Sequence, residues 1–156
     1  MKGALAHRTA FHFNYLNELY IGNNEARKVI TELFGEAKNS KDKIEGSKGK
    51  VIFSDCFKPN RDETKTFDHV AIDRFTSGAI DGALFQEKTI AQQDQWEVEI
   101  LVEKSVSSAF IKAFELALDD VCKGVLALGG ATTKGHGVFT GQIIKDGEVL
   151  NVERKK

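Results

Sequence analysis

A glycine-rich stretch toward the end of the chain, LGGATTKGHGVFTG at residues 128–141, carries the first side chains that could do chemistry. It holds five glycines in fourteen positions, with Lys134 and His136 among them. Glycines let main-chain amides approach a ligand closely, and a lysine beside them favours a phosphate group. That phosphate belongs either to a free nucleotide or to the backbone of a nucleic acid.

The spacing within this glycine loop argues against a free nucleotide. A Walker loop needs a glycine, four residues and then Gly-Lys-Ser/Thr, whereas here Gly130 and four residues precede Gly135-His136. The dinucleotide fingerprint fails because Thr140 stands where its third glycine belongs. Both motifs also run strand, loop, helix, while the patterns here predict helix, loop, strand. We expect no nucleotide cofactor but a polymer backbone; the alternative is a helix end whose glycines serve only the turn.

Groups for acid–base or metal chemistry are scattered along the chain. The candidates are His7, His12, His69, His136, Asp55, Asp73 and Asp81. Their spacing gives no Ser-His-Asp or Cys-His arrangement, and Asp81-Gly82 is also ordinary turn chemistry. Cys56 and Cys122 stand apart with no CxxC pair, so we expect buried thiols rather than a zinc site or a disulfide.

Length and composition predict one cytoplasmic domain. The 156 residues, 41% of them hydrophobic, suffice for one core and are too few for two ordinary domains. We expect no membrane attachment, since no apolar run approaches the roughly 20 residues of a spanning helix and the first residues lack a signal-peptide pattern. Because 22 Lys and Arg face 23 Asp and Glu, nucleic-acid binding would have to come from local arrangement.

A helix predicted over residues 3–20 would position the first basic side chains. Its apolar residues share one face at 100° per residue. The other face carries His7, Arg8, Phe11 and Tyr15. This mixture predicts either a solvent-exposed or neighbour-packed surface, or a surface that binds RNA bases and phosphates.

The remaining patterns predict two further helices, several short strands and a long arm. In chain order they begin with a helix capped by Asn23 or Asn24 and ending at Gly35, a loop over 38–50 that is either solvated or in contact with phosphate, and a strand over 51–53. Lys58-Pro59-Asn60 ends whatever follows that strand, and an arm or long hairpin over 61–95 is broken at Ser77-Gly78 and Asp81-Gly82. Then come a strand over 96–103, a serine-capped helix ending at Gly124, and strands on either side of a turn at 145–148, the first over 138–144. An arm of this length is usually functional.

Four stretches together carry a family resemblance. They are KGALAHR at 2–8, ELFG at 32–35 followed by GKVIFSD at 49–55, HVAIDRFTSGAIDGALF at 69–85, and LGGATTKGHGVF at 128–139. In this order the chain resembles the RAMP superfamily of CRISPR-associated proteins, specifically the repeated backbone subunits of type III effector complexes and their fused single-chain relatives. Each stretch alone is a weak signal, and their order is specific.

The resemblance implies an α+β fold, a modified ferredoxin-like (RRM-type) palm with a β-hairpin thumb insertion. One domain would divide into a palm at 1–57 and 95–156 and a thumb at about 61–94. In the family a first strand precedes the lysine and glycine matched by Lys2-Gly3, and this chain begins at that lysine. We therefore expect the first strand to be missing from this chain, either because the chain is a piece of a longer protein or because another effector subunit or module supplies the strand.

The resemblance also implies that the chain binds crRNA and its target RNA together with other effector subunits. The implied RNA-binding residues are Lys2, His7 and Arg8 on the first helix, Asp73, Arg74, Phe75 and Thr76 in the thumb, and Gly129, Gly130, Lys134, Gly135 and His136 in the glycine loop. The thumb would wedge into the guide–target duplex and leave a nucleotide flipped out. Sequence would then be read by base pairing, which suits a nearly neutral protein with local basic spots.

Cleavage of the target is the activity that the resemblance leaves open. In many backbone subunits the cleaving aspartate precedes the position of Lys2, whereas the fused relatives use one nearer the thumb, which favours Asp81 here and His69 second. The reaction would be a metal-dependent endoribonuclease step with Mg²⁺ or Mn²⁺, in which a ribose 2′-hydroxyl attacks the adjacent phosphate. The alternatives are an inert scaffold module and another kind of RRM-like RNA-binding protein.

Overall fold

The computed structural model describes residues 1–20, 22–37, 46–56, 64–90 and 95–153. The chain divides into two compact units, one of residues 1–53 with 100–156 and the other of residues 54–99. The first unit contains all the described α-helices and the second is a long hairpin. The predicted α+β class is therefore confirmed.

The elements follow the chain in this order: α1 (Lys2–Leu16), α2 (Asn24–Phe34), β1 (Gly35–Glu36), β2 (Ser47–Lys48), β3 (Val51–Phe53), β4 (Thr64–Ile72), β5 (Ala79–Ile90), β6 (Ile100–Val102), α3 (Ser108–Cys122), a 3₁₀ turn (Thr132–Lys134), β7 (Ile144–Lys145) and β8 (Glu148–Val149). The strands pair two by two and antiparallel, β1 with β2, β3 with β6, β4 with β5 and β7 with β8. No helix in the described part of the chain is long and apolar enough to cross a membrane.

Helix α1 ends earlier than its apolar pattern predicts. It stops at Leu16, because the Asn17 side chain donates a hydrogen bond back to the main-chain oxygen of Phe13 at 2.8 Å and Glu18 adopts a left-handed φ of 57°. Tyr20, which the pattern placed on the core face, is consequently 77% exposed. The prediction of a helix to residue 20 was wrong in its last turn.

The caps of the other two helices lie where the sequence predicted them. The Asn23 side chain accepts a hydrogen bond from the Ala26 amide at 3.0 Å, and α2 ends at Gly35 with a φ of 80°. Ser107 caps α3 by accepting from the Phe110 amide at 3.4 Å. Gly124 follows α3 with a φ of 71°, a conformation that glycine adopts without the steric cost a Cβ would bring.

The core of the first unit lies among the three helices and one side of the β3–β6 pair. Its most deeply buried apolar residues are Leu5, Val29, Leu33, Val51, Ala113, Phe114, Leu116 and Ala117. Aromatic rings join the elements edge to face, Phe13 with Phe110 at 5.4 Å and Phe34 with Phe114 at 5.7 Å between centroids. This packing fixes α1 against α2 and α3.

Two predicted strands are shorter than their patterns suggest. The pattern over 96–103 yields only β6, because its partner β3 is three residues long and the pairing beyond Phe53 is limited to Ser54 and Glu99, whose amide and carbonyl are 2.9 Å apart. The pattern over 138–144 yields one bridge, between Thr140 and Lys123, before β7 begins. The turn at 145–148 is confirmed, with Asp146 and Gly147 at positive φ.

The second unit confirms the predicted hairpin. β4 and β5 pair from Thr64 opposite Ile90 to Ile72 opposite Ala79, with a turn over 73–78. The pairing shifts register near the tip, since Val70 lies opposite Leu84, so residues 80–83 face Ala71 alone. Asp81-Gly82 thus forms a bulge inside β5, with Gly82 at a φ of 75°, rather than a break between strands.

Some predictions fall outside the described residues. These are the lysine-rich part of the loop at 38–45, the stop at Lys58-Pro59-Asn60, and the base of the arm at 61–63 and 91–94. Cys56 and Cys122 are free thiols and are half-buried, so they are less buried than predicted. Burial raises the pKa of the Cys122 thiol, and the nearby Asp119 carboxylate raises it further.

Candidate nucleic-acid interface

The exposed face of α1 combines basic and aromatic side chains. Lys2 and His7 are exposed, and Phe11 and Tyr15 are 46% and 52% exposed. The Arg8 guanidinium carbon lies 4.6 Å from the centroid of the Phe11 ring, a cation–π arrangement. Residues 1–17 contain no aspartate or glutamate, so this surface carries only positive or neutral side chains.

A buried carboxylate on α3 binds two side chains of this helix. Asp120 on α3 is 0% exposed, and its Oδ2 lies 2.7 Å from Nε2 of His12. Arg8 donates a hydrogen bond from Nε to the same oxygen. A buried carboxylate is tolerated only when cationic or donor groups compensate its lost hydration, and the two side chains of α1 do so.

The main chain at Asp120 also fixes the segment that leads into the glycine loop. Its carbonyl oxygen accepts hydrogen bonds from the amides of Val125 at 2.8 Å and Leu126 at 2.9 Å. One residue therefore connects the basic helix α1, the end of α3 and the start of the loop. His12 therefore has a structural role as a partner of Asp120. The sequence alone did not assign such a role to any of its four histidines.

Sequence reasoning missed Asp120, although a signal was present. Asp120 lies seven positions after Ala113 and three after Ala117. This spacing places it on the face of α3 that the apolar pattern assigns to the core. A carboxylate on a core face needs a buried partner. The basic residues of α1 were the nearest candidates in an otherwise apolar core.

The glycine loop is closed by one main-chain hydrogen bond. The Leu128 amide donates to the carbonyl oxygen of Gly137 at 2.8 Å. Between them the 3₁₀ turn is bracketed by Ala131 at a φ of 53° and Gly135 at a φ of 86°. Lys134 lies at the end of this turn with its side chain exposed, and His136 is half-buried.

The glycines of the loop have different surroundings. A Cβ built at Gly129, Gly130 or Gly135 would meet no atom within 4 Å, so these positions form an open surface of main chain. At Gly137 a Cβ would come within 1.8 Å of the Leu128 carbonyl oxygen. Gly137 is thus required for loop closure, while the three open glycines leave the backbone accessible to a ligand.

The hairpin tip is a preformed turn that presents one aromatic ring. Oδ1 of Asp73 accepts hydrogen bonds from the amides of Phe75 at 2.9 Å and Thr76 at 2.8 Å, and from the Thr76 hydroxyl at 3.0 Å. These donors, the Thr76 amide first, hold the pKa of Asp73 below its ordinary value. Arg74 is exposed and Phe75 is 98% exposed. Asp73 therefore orders the turn on which Arg74, Phe75 and Thr76 lie.

The two predicted catalytic side chains occupy different places on the hairpin. Asp81 is exposed in the bulge of β5. His69 lies opposite Phe85, four residues farther along β5, and stacks on its ring at 4.9 Å. Its Nε2 is 3.3 Å from Glu87 Oε2, an ion-pair distance without hydrogen-bond geometry. The structure does not bring His69 and Asp81 together as a cross-strand pair.

The described residues hold no cluster of three His, Cys, Asp or Glu side chains suited to a metal ion. Asp81 is the donor that the family resemblance offers for Mg²⁺ or Mn²⁺. Its carboxylate can also accept a proton in a cleavage step without an ion.

A shallow groove of about 550 Å³ lies elsewhere on the first unit, between α2 and β2. Its described lining is Asn24, Arg27, Lys28, Thr31, Glu32, Ser47, Lys48 and Lys50. Three of its four cations are in ion pairs with carboxylates, Lys28 with Glu25 at 2.7 Å among them. The groove therefore presents less positive charge than its composition suggests and contains none of the predicted site residues.

Comparison with known families covers almost all of these elements. The sequence model of the RAMP superfamily matches residues 1–140, which include α1, the hairpin and the glycine loop up to Thr140. The chain belongs to the RAMP superfamily. No curated protein sequence matches it.

RAMP membership establishes the coarse function. RAMP proteins are CRISPR-associated and bind RNA, and they work in CRISPR complexes with RNA and other subunits. The family, the α+β class and this general function were predicted from the sequence and are confirmed.

Proposed function

We propose that this RAMP chain is a guide-RNA-binding backbone module of a cytoplasmic type III CRISPR effector, where it holds the crRNA and its duplex with target RNA. The observation that carries the proposal is the ordered set of four motif stretches. Three of them fall on surface elements: KGALAHR on α1, HVAIDRFTSGAIDGALF on the hairpin and LGGATTKGHGVF in the glycine loop.

Phosphate contacts would come from two elements of the first unit. Lys2, His7 and Arg8 supply positive charge or donors on α1, and Lys134 and His136 do so in the glycine loop. The open main chain at the loop glycines lets a sugar–phosphate backbone approach closely. Because Asp120 fixes both elements, their relative placement needs no rearrangement on binding.

The hairpin would act as the thumb that interrupts the guide–target duplex. Phe75 at its tip is exposed on a turn already ordered by Asp73, so an apolar wedge is available without further ordering. Inserted apolar side chains unstack neighbouring bases, at a cost of about a few kcal/mol per step, and displace a nucleotide. Arg74 and Thr76 beside it are suited to the adjoining phosphates.

We also propose that the first unit is a ferredoxin-like palm completed by a further strand. Among the described residues β6 pairs along one edge, with β3, and residues 138–143 make a single bridge. A strand from an adjacent effector module that pairs with β6 would complete such a palm.

A second candidate function, cleavage of the target RNA, is favoured by the bulge at Asp81-Gly82. Bulges re-aim side chains and are common beside active sites. The Asp81 carboxylate would accept the proton of a ribose 2′-hydroxyl as that oxygen attacks the adjacent phosphorus. The bond to the 5′-oxygen breaks, and the leaving oxygen takes a proton from water, which leaves a 2′,3′-cyclic phosphate. A nucleotide displaced by the thumb would align this attack in line.

The test of the leading proposal uses the full chain and two labelled probes. Fluorescence anisotropy should show salt-dependent binding of a single-stranded RNA of guide length, and weaker binding of duplex DNA of the same length. Chemical probing of a complementary target in the assembled effector should show hyper-reactive nucleotides at a regular spacing. Absence of RNA binding at low salt overturns the proposal. Uniform reactivity along a bound target would instead favour an inert scaffold module.

A further inference from the structure

Two aromatic rings lie one turn apart on the exposed face of α1. Phe11 is 46% and Tyr15 is 52% exposed, and their spacing of four residues places the side chains about 6 Å apart on the helix surface. Their counterparts on the buried face, such as Leu5 and Phe13, are at most 7% exposed. The pair therefore belongs to a surface that the described core does not use.

The charge of this surface limits what can cover it. His7, Arg8, Phe11 and Tyr15 lie within roughly a third of the helix circumference, and the helix has no acidic residue up to position 17. Arg8 already lies against the Phe11 ring at 4.6 Å. A half-exposed aromatic surface with one arginine and no carboxylate is complementary to a ligand that has flat apolar faces and negative charge, which is the description of a nucleic-acid strand.

We propose that Phe11 and Tyr15 form a base-stacking platform for a single-stranded segment of RNA on α1. The inference rests on the proposed function and adds to it a direct contact with bases beside the phosphate grip. Bases inside a duplex are stacked on each other, so only unpaired nucleotides offer faces to the rings. Every base has such a face, and the contact is therefore indifferent to guide sequence.

Arg8 contacts both the Phe11 ring of the platform and the buried carboxylate of Asp120. Its Nε binds Asp120, and its guanidinium lies over one face of the Phe11 ring, so a base would stack on the opposite face. A phosphate that follows a base stacked on Phe11 would meet this cation without a change of its position. The platform and the phosphate contacts of α1 would thus act on successive parts of the same nucleotide.

The experiment compares two double variants of the full chain. Phe11→Ala with Tyr15→Ala removes both rings, while Phe11→Tyr with Tyr15→Phe keeps them as a matched control. Because the side chains are about half exposed, both variants should keep the wild-type melting temperature, which is checked first. The probes are a short oligouridylate and an abasic ribose-phosphate oligomer of the same length, each measured at several salt concentrations.

The ring-free variant should lose about 5-fold or more in oligouridylate affinity per ring, with no change for the abasic oligomer and an unchanged salt slope. The ring-keeping variant should bind as the wild type does. Unchanged oligouridylate affinity, or an equal loss for both probes, overturns the platform. So does a ring-free variant whose only change is in oligomeric state, because the face would then dock a protein. A wild-type chain that binds neither probe refutes the proposed function itself.

Discussion

Nε2 of His12 and Oδ2 of Asp120 lie 2.7 Å apart in the interior of the first unit, 108 residues apart in sequence. Arg8 donates a hydrogen bond to the same oxygen, and the Asp120 carbonyl oxygen accepts hydrogen bonds from the amides of Val125 and Leu126, just before the glycine loop. The two elements proposed to grip the guide backbone are thus fixed by one buried residue, and that residue offers the sharpest test of how the site is built.

Replacing Asp120 with alanine should strongly destabilise the fold. It would leave Arg8 and His12 without their buried acceptor, and breaking a buried ion pair in this way costs about 3–5 kcal/mol in the free energy of unfolding. Urea denaturation measures the change. Glu115→Ala on the same helix is the matched control, because Glu115 pairs with the half-exposed Lys145 and should cost under about 1 kcal/mol. Equal costs for the two variants would contradict this role of Asp120.

Two glycine substitutions should separate loop architecture from ligand approach. Gly137→Ala places a Cβ within 1.8 Å of the Leu128 carbonyl at a φ of 71°, so it should open the loop and lower stability by about 1–3 kcal/mol. Gly130→Ala meets no protein atom and should leave the thermal midpoint unchanged. If Gly130→Ala nevertheless weakens RNA binding, the backbone of the ligand passes there. A Gly137→Ala protein as stable as the wild type would refute the closure argument.

Lys134→Ala should lower RNA affinity, because it removes a cation that is proposed to face a phosphate. The slope of log affinity against log salt should fall by about 0.7 for each phosphate of a single strand that the protein no longer neutralises. Anisotropy titrations at several salt concentrations give this slope. Lys112→Ala removes an exposed lysine from α3 and serves as the control for charge alone. The same slope change in both variants would assign the effect to net charge.

Asp81→Ala should abolish target cleavage at one fixed spacing in the assembled effector and leave target binding intact. The variant has no carboxylate to accept the 2′-hydroxyl proton, while the hairpin pairing remains. Denaturing gels of labelled target report cleavage, and anisotropy reports binding. Asp68→Ala, which removes a carboxylate bonded to Gln86 on the same hairpin, should cut as the wild type does. Cleavage unaltered by Asp81→Ala would remove that residue from the mechanism.

Acid should loosen the hairpin tip. Hydrogen bonds lower the pKa of Asp73 in the folded turn below its ordinary value of 3.8, so the turn is stabilised above that pH and loses this contribution as the pH falls through the folded pKa. The amide shifts of Phe75 and Thr76 in NMR spectra follow the transition. Asp73→Asn keeps the acceptor oxygen but does not titrate, and should show no acid step. An identical step in both proteins would place its origin elsewhere.

Local chemistry made part of this architecture predictable. Asn23, Ser107, Gly35 and Gly124 mark helix ends through hydrogen bonds and φ values that each depend on a few neighbouring residues. The hairpin was predictable for the same reason, because residues 64–90 hold no helical period and carry a turn at Ser77-Gly78. Features set within one turn or one hairpin can be inferred without knowing the fold.

Features that depend on distant partners were not predictable. The alternation over 96–103 is a good strand pattern, but its length is set by the three residues of β3 that lie beside it. The bulge at Asp81 depends on how β4 registers against β5, and the Asp120 pair depends on how α1 crosses α3. In each case a second segment decides the outcome. The first segment at most shows that a partner is needed, as Asp120 does on the core face of α3, without identifying that partner.

The hairpin also affects how readily the protein aggregates before it is assembled with RNA. In the described part of the chain β4 and β5 pair only with each other, and apolar side chains such as Ile72, Leu84 and Phe85 are exposed along them. Open strand edges with apolar faces invite polymerisation between copies, and lysines such as Lys65 and Lys88 are the usual protection against it. If the hairpin enters a duplex as proposed, RNA present during synthesis should raise the yield of native protein, because the duplex would cover these side chains and strand edges.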